Sequence, residues 1–404
     1  MKRNVSVAAA FLAILALLGV WSNVLGRKAL VEAATVQAPR FEVDPLWPKP
    51  LPNHWLIGNT IGVSVDPQDH IWIIHRGASL ERQETYAVAS PPQAECCAPA
   101  PPVLEFDQAG NLVGHWGGPG QGYDWPLGNH GITADHKGNV WIGGNGRGGQ
   151  PGAASQAPYH DTMVLKFTAS GKFLMQIGKP GQSKGSNDVE NLKGAAKLFI
   201  DSKTNELYVA DGYGNRRVIV FDVETGKYKR HWGAYGKKPD DAPQPRYNPS
   251  DPPAQQFRPP VHCAELSSDG LLYVCDRPND RIQVFTRDGA FAKEVFIARN
   301  TLADGSVWDI AFSRDSQQKY LYLADGSNQK VYVILRETLE ILTSFGDGGR
   351  QPGQFYAVHS IATDSKGNIY TTETYRGQRV QKFVYKGLAA VAKKDQGVVW
   401  PRPR

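Results

Sequence analysis

The sequence predicts one six-bladed β-propeller, and three observations lead to this fold class. An internal repeat occurs six times along the chain, at spacings typical of propeller blades. Each copy alternates apolar and polar residues over short runs rich in Val, Ile, Tyr and Trp, which is typical of antiparallel strands. The chain of 404 residues also has 42 glycines and 28 prolines and shows no convincing amphipathic helix outside its N-terminus. An all-β ring of blades accounts for all three.

Each copy contains an inner strand, a turn, a second strand that ends near an acidic residue, and a third strand. The copies align on a Trp or Tyr in the second strand: Trp72, Trp141, Tyr208, Tyr273, Tyr322 and Tyr370. In this alignment the leading position of the inner strand is occupied by Ile61, His130, Ala196, His262, Trp308 and His359. We therefore expect one blade per copy and a single propeller domain over residues 41–387.

The ring needs a closing strand. The last copy ends after its third strand near Lys386, while a lone strand from Phe41 to Asp44 precedes the first copy. We expect this N-terminal strand to complete the last blade, because closure removes an exposed sheet edge. Residues 388–404 are then expected to form a loose C-terminal tail.

The N-terminus predicts export. Lys2 and Arg3 precede an apolar stretch from Val5 to Val20, which is long enough for a signal-peptide core and short for a spanning helix. We interpret residues 1–26 as a signal peptide, with an uncleaved membrane anchor as the alternative. The expected location is the periplasm or the extracellular space, with no other membrane association.

The charge and the four cysteines give expectations for binding partners and for disulfides. The net charge is +6, but the basic residues form no continuous stretch, so we expect no nucleic-acid partner. We also expect a monomer. Cys263 and Cys275 flank a hairpin turn and are expected to face each other across two strands. Cys96 and Cys97 are adjacent, and the sequence leaves their pairing open.

Three histidines predict a metal site. His130, His262 and His359 occupy the same repeat position in alternate copies. Blades arranged around an axis would place these imidazoles about 120° apart, facing one another across the central channel. Three imidazoles suit Zn²⁺ with an open position for water or substrate, although copper, nickel or iron also accept them. The alternative is that these are ordinary hydrogen-bonded or surface histidines.

Three further residues follow second strands on the same rim. Arg76 comes from blade 1, Arg277 from blade 4 and Tyr213 from blade 3. Arginines bind carboxylates in a bidentate manner, and a tyrosine beside a metal and two guanidinium groups is expected to have a lowered pKa and to act as a base. The alternative is that both arginines form ion pairs with acids between blades.

Acids that end second strands have a structural interpretation. Each precedes a basic residue by five or six positions, which predicts ion pairs between strands in blades 3 to 6. The acids are Asp211, Asp276, Asp325 and Glu373, and their expected partners are Arg216 or Arg217, Arg281, Lys330 and Arg379.

Two motifs carry a resemblance to a known family. DGYGNRRVIVF and DRPNDRIQVF resemble the NHL repeat, and the whole constellation resembles the peptidyl-α-hydroxyglycine α-amidating lyases (peptidylamidoglycolate lyases). The resemblance extends from about Phe41 to Lys386. The matching site residues are His130 in NHGI, His262 in VHCAE, His359 in VHSI, Tyr213 in DGYGNRR, Arg76 in HRG and Arg277 in DRPNDRIQ.

The resemblance implies a reaction. A zinc ion held by the three histidines would help cleave a carbinolamide, R-CO-NH-CH(OH)-COO⁻, to an amide and glyoxylate. Tyr213 would take the proton of the α-hydroxyl, and Arg76 and Arg277 would orient the carboxylate.

Two positions depart from that family. An aspartate that follows the third histidine and helps to hold a structural calcium is replaced here by Ser360, so Ca²⁺ is less well supported than zinc. Gly214 stands where the tyrosine motif has a cysteine. Two alternatives stay open: a non-catalytic propeller that binds protein or glycan, and a metal-dependent propeller hydrolase of the lactonase type, whose sites prefer oxygen ligands around calcium.

Overall fold

The computed structural model describes residues 35–148 and 158–401, so the predicted signal peptide lies outside the described residues. It contains six four-stranded antiparallel sheets, which confirms the six-bladed β-propeller. None of the helices in the described part of the chain has the length and apolar character needed to cross a bilayer.

The strands of each blade are given from the axis outward. Blade 1 comprises Asn59–Val65, Ile71–Arg76, Val103–Phe106 and Leu112–Trp116, and blade 2 comprises Asn129–Ala134, Asn139–Gly144, Val164–Thr168 and Phe173–Ile177. Blade 3 comprises Ala195–Asp201, Glu206–Asp211, Arg217–Asp222 and Tyr228–Trp232, and blade 4 comprises Val261–Leu266, Leu271–Asp276, Arg281–Thr286 and Phe291–Phe296. Blade 5 comprises Asp309–Phe312, Tyr320–Asp325, Lys330–Leu335 and Glu340–Phe345, and blade 6 comprises Val358–Thr363, Ile369–Glu373, Arg379–Ala392 and Thr35–Asp44.

A short parallel strand pair and four 3₁₀ helices lie outside the six blade sheets. A parallel pair joins Trp55–Leu56 to Ala98–Pro99 beside blade 1. Short 3₁₀ helices lie in loops, at Gly77–Ser79, Arg82–Val88, Ala234–Gly236 and Arg277–Asn279.

The N-terminal strand closes the ring as predicted. Thr35–Asp44 is the outer strand of blade 6 and pairs antiparallel with Arg379–Ala392. This long strand runs to Ala392, so the tail predicted from residue 388 begins inside a strand. Beyond it, the Val399 carbonyl accepts a hydrogen bond of 2.8 Å from the Val43 amide. Residues 388–392 therefore belong to the strand, and Val399 contacts the closing strand of blade 6.

The aligned aromatic residues hold neighbouring blades together. All six are almost fully buried: Trp72, Trp141, Tyr208, Tyr273, Tyr322 and Tyr370. Two of the indoles donate to an aspartate six residues earlier, Trp72 to Asp66 at 2.9 Å and Trp141 to Asp135 at 3.0 Å. A buried aromatic contributes both apolar area and ring contacts, so this repeat position packs the blades and fixes the inner strands around the axis.

The predicted ion pairs form in three of the four blades. Asp211–Arg217 measures 2.8 Å, Asp276–Arg281 measures 2.7 Å and Glu373–Arg379 measures 2.6 Å, with every acid fully buried. The pair predicted between Asp325 and Lys330 in blade 5 is wrong. Asp325 instead accepts a hydrogen bond from the Asn328 side chain at 2.7 Å, and Lys330 bonds to Asp395 at 2.7 Å.

Both cysteine pairs are disulfides. Cys263 and Cys275 are direct cross-strand partners in blade 4 and are fully buried, as predicted from their hairpin spacing. The adjacent Cys96 and Cys97 bond to each other in the loop between the second and third strands of blade 1.

Asp280, which follows the 3₁₀ turn of blade 4, is expected to make the free energy of unfolding depend on pH. Its Oδ1 accepts the Ser306 amide at 2.8 Å, whereas its buried Oδ2 has no hydrogen-bond partner within the described residues. Burial raises the pKa of Asp280 to about 7. Because this value lies above the unfolded pKa of about 4, the residue favours the folded state at acid pH, and that contribution is lost as the pH rises through about 7.

We expect Asp280→Asn to raise the free energy of unfolding by about 1–3 kcal/mol more at pH 8 than at pH 5, because the cost of the buried carboxylate accumulates between the unfolded and the folded pKa. Urea denaturation at both pH values measures this, with the exposed Glu337→Gln as the control. An equal effect of Asp280→Asn at both pH values would contradict the prediction.

Candidate metal centre

Three inner strands deliver the histidines to the axis. His130, His262 and His359 are each the second residue of the inner strand in blades 2, 4 and 6. All three side chains are buried, and their candidate ligand atoms lie within 4.8 Å of one another. The ring centroids are 4.8 to 5.3 Å apart. The structure thus brings the three predicted ligands together at one point.

The next blade orients each imidazole. In all three cases Nδ1 bonds to a backbone carbonyl at the equivalent leading position of the following blade: His130 to Ala196 (2.7 Å), His262 to Trp308 (2.5 Å) and His359 to Ile61 (2.6 Å). A carbonyl only accepts, so Nδ1 carries the proton and the lone pair resides on Nε2. Such partners fix the tautomer and the ring orientation of histidines that bind metals.

The imidazoles are neutral. Burial lowers the pKa of His130 and His262 well below the ordinary value and that of His359 to about 3. Nearby positive charge, including that of Arg277, lowers all three further. Neutral imidazole is the form that binds a metal.

Tyr213 reaches the histidines from the end of the second strand of blade 3. Its hydroxyl lies 2.8 Å from His130 Nε2 and 3.1 Å from His262 Nε2. Its backbone is held at both ends, since its amide donates to the Gly194 carbonyl at 3.0 Å and its carbonyl accepts the Tyr159 hydroxyl at 2.8 Å.

The protein charges alone do not produce the lowered pKa expected for this tyrosine. Burial raises the pKa of Tyr213, and the positive charges of Arg277 and Arg76 oppose that rise without reversing it. Desolvation disfavours the phenolate, and the two guanidinium groups only partly compensate.

Arg277 occupies the same rim, opposite Arg76 in the ring. Its guanidinium lies 4.4 Å above the Trp308 ring, and its buried Nε has no hydrogen-bond partner among the described residues. Trp308 is itself packed edge-on against His262 and His359. The side chain is therefore oriented by stacking, and its Nε keeps a donor for a ligand.

Arg76 is anchored on blade 2. It donates to the Asn129 carbonyl at 3.0 Å and to the Asn145 side chain at 2.6 Å. Within residues 35–148 and 158–401 neither Arg76 nor Arg277 forms an ion pair with a carboxylate, so the alternative of ion pairs between blades is wrong for these residues. Burial lowers the pKa of Arg76, while the Tyr213 hydroxyl partly counters this effect.

Sequence reasoning missed two supports of the site. Tyr159 lies between the second and third strands of blade 2, outside the repeat, and no motif marks it. Gly194, at φ +80°, is required because a Cβ there would lie 2.6 Å from the Tyr213 Cβ. Trp308 was visible as the leading residue of blade 5, but nothing in the sequence linked it to Arg277.

The donor set fits a divalent transition metal. Three neutral imidazoles with oriented Nε2 atoms match catalytic zinc sites, and imidazole also binds copper, nickel and iron. A second group, Asp66, His70 and Glu105, is also close together but only half-buried. There His70 Nδ1 already bonds to Glu105 at 2.6 Å.

Comparisons with known proteins agree with the fold and point to two kinds of relative. No protein-family model matches the chain. A peptidyl-glycine alpha-amidating monooxygenase B of Xenopus laevis is 25% identical over 335 residues, 81% of this chain and 34% of that protein, so the chain spans about a third of that relative. NHL repeat-containing protein 3 of Mus musculus is 24% identical over 365 residues, covering 86% of this chain and 85% of that protein.

The similarity to solved structures is weaker. A catalytically inactive variant of virginiamycin B lyase from Staphylococcus aureus, solved with quinupristin, has 14% identity and a TM-score of 0.46, over 88% of this chain and 97% of that one. The chain is a six-bladed propeller, and its sequence is similar to those of an amidating monooxygenase and of NHL repeat-containing protein 3.

Proposed function

We propose that the protein is a metal-dependent lyase that cleaves a carbinolamide of the N-acyl-α-hydroxyglycine type to an amide and glyoxylate. The observation that carries this proposal is the Tyr213 hydroxyl, which lies within 3.1 Å of two of the three clustered imidazoles. Two arginines without carboxylate partners in the described part of the chain flank it. The similarity to amidating monooxygenases supports the same assignment.

The site offers the three functions that this cleavage needs. His130, His262 and His359 would hold the metal, which when bound supplies a Lewis acid for the α-hydroxyl of the substrate. Arg277 and Arg76 would bind the substrate carboxylate, because guanidinium groups without an internal carboxylate partner are matched to an anion. Trp308 would keep the Arg277 guanidinium in place.

Tyr213 would move the proton. As the phenolate it accepts the proton of the α-hydroxyl, the O–H electrons form the new C=O bond of glyoxylate, and the C–N bond breaks. The phenol then returns this proton to the departing amide nitrogen, so no other reactant is consumed. Burial raises the pKa of Tyr213 in the metal-free chain, and a cation held by the adjacent imidazoles favours the phenolate.

Product analysis tests the proposal. The zinc-loaded protein is incubated with an N-acyl-α-hydroxyglycine, and amide and glyoxylate are measured together, with a chelated sample alongside. We expect the two products in equal amounts and only with metal. Folded, metal-bound protein that releases neither would favour a non-catalytic propeller, for which the match along most of NHL repeat-containing protein 3 is the supporting observation.

Arg277 gives a specific prediction for substrate binding. We expect Arg277→Lys to lower kcat/KM by about 10–100-fold, mostly through KM, because a point charge replaces a planar fork that pairs with a carboxylate. Steady-state kinetics measure this, with the exposed Arg299→Lys as the control. An unchanged KM would remove Arg277 from carboxylate binding.

A further inference from the structure

Below the three histidines the channel contains a buried lysine. Lys197 lies on the inner strand of blade 3, and its ammonium bonds to Asp309 at 2.6 Å and to Glu265 at 2.7 Å. The side chains of all three are 15% exposed or less. The Ile310 carbonyl lies 3.4 Å from the same nitrogen. The ammonium is thus surrounded by hard oxygen atoms.

This group links four of the six blades. Lys197 belongs to blade 3, Glu265 to blade 4 and Asp309 to blade 5. Blade 6 joins through Ser360, whose hydroxyl donates to Asp309 Oδ2 at 2.6 Å, and through the Ile361 amide, which donates to the same oxygen at 3.1 Å. Asp309 therefore has both oxygens satisfied, one of them by the ammonium.

Lys197 also separates two spaces along the axis. A void of about 10 Å³, close to the volume that one water needs, is lined by the three histidines together with Lys197, Asp309 and Ser360. A cavity of about 380 Å³ on the other side is lined by Lys197, Glu265 and Arg314 among others. The ammonium and its partners stand between the metal centre and this lower cavity.

The chemistry of the pocket matches that of a divalent cation site. Two carboxylates and a carbonyl are the ligands that Ca²⁺ prefers, and here a lysine ammonium supplies the positive charge. The two carboxylates hold the pKa of Lys197 above its ordinary value although burial acts to lower it. Without the ammonium, Asp309 and Glu265 would lose the cation that both of them contact, which is strongly destabilising for buried acids.

We propose that the Lys197 ammonium is the structural cation of the propeller: it occupies a site for a hard divalent cation, ties four blades together and closes the channel below the histidines. The wild-type protein then needs no calcium for stability, and the metal centre is reached from the arginine rim. This proposal does not depend on the lyase activity.

Removing the ammonium tests the proposal. We expect Lys197→Ala to lower the Tm by about 5–10 °C in chelator and to recover most of that loss in millimolar CaCl₂, while the Tm of the wild type is unchanged by CaCl₂. In Lys197→Ala/Asp309→Asn the calcium response should disappear, because a ligand is missing. A Lys197→Ala protein that is folded but does not respond to calcium overturns the proposal, and so does a wild-type protein stabilised by calcium through Asp309.

If Lys197→Ala does not fold, a measurement on the wild-type protein tests the same proposal. The native protein is acylated with acetic anhydride, and the modification of each lysine is read by mass spectrometry of its peptides. Lys197 should be modified at least about tenfold more slowly than the exposed Lys227, because its ammonium is buried and held by Asp309 and Glu265. Equal rates would show that the channel is open at Lys197 and would overturn the proposal.

Discussion

Tyr213→Phe should lower kcat/KM for an N-acyl-α-hydroxyglycine by about 10²–10⁴-fold, the range expected when a general base is removed. The ring and its packing stay, and only the hydroxyl that lies 2.8 Å from His130 Nε2 is lost. Because the three imidazoles are untouched, the variant should bind zinc in the same ratio as the wild type. Steady-state glyoxylate assays and metal analysis on the same sample measure both quantities.

The control for this variant lies in the same blade. Tyr228→Phe also removes one phenolic hydroxyl, but from the outer strand of blade 3, where the side chain is exposed and bonds to His231. It should leave kcat/KM unchanged. If Tyr213→Phe retained full activity with a full complement of zinc, the tyrosine would have no role in proton transfer.

His359→Ala should abolish stable metal binding. We expect the dissociation constant for Zn²⁺ to rise by more than about 100-fold, since even an outer partner of a ligand is worth about 10–100-fold. This histidine is the most informative to remove, because the Tyr213 hydroxyl lies within 3.1 Å of Nε2 of His130 and of His262, and both residues remain. Activity and metal content should therefore fall together although the tyrosine keeps its place.

Isothermal titration of the apoprotein with zinc, supported by elemental analysis, measures this effect. His231→Ala on the outer strand of blade 3 is the matched control and should bind zinc like the wild type. Wild-type affinity in His359→Ala would mean that the metal lies elsewhere, and the group Asp66, His70 and Glu105 would be the next site to test.

Repeat phase explains why the centre of the site was predictable. Once the aromatic residue of the second strand is packed between blades, a fixed position of the inner strand must face the axis. The alignment on Trp141, Tyr273 and Tyr370 therefore predicted that the three histidines face the axis. The same alignment identified the residues whose carbonyls orient them, at Ile61, Ala196 and Trp308, although their role depends on the stagger between blades, which sequence does not show.

Other features could not be predicted because they depend on contacts outside the repeat. Tyr159 donates a hydrogen bond to the Tyr213 carbonyl from a segment outside the repeat. Asp325 accepts a hydrogen bond from the Asn328 side chain and forms no ion pair with Lys330. Without a metal, burial raises the pKa of Tyr213, because the two arginines compensate only part of the desolvation; the lowered pKa beside a bound metal stays a prediction. Lys197 gave no signal in sequence, since an inner-strand lysine is ordinarily directed to solvent.

The most direct test of one catalytic metal at the axis is a reconstitution titration. Apoprotein prepared with a chelator receives increasing zinc, and the initial rate of glyoxylate release is recorded at each ratio of zinc to protein. We expect a linear rise from no activity to a plateau at about one zinc per chain, with no activity from Tyr213→Phe at any ratio. Full activity in the apoprotein, or none at any ratio in folded protein that binds the zinc, would contradict it.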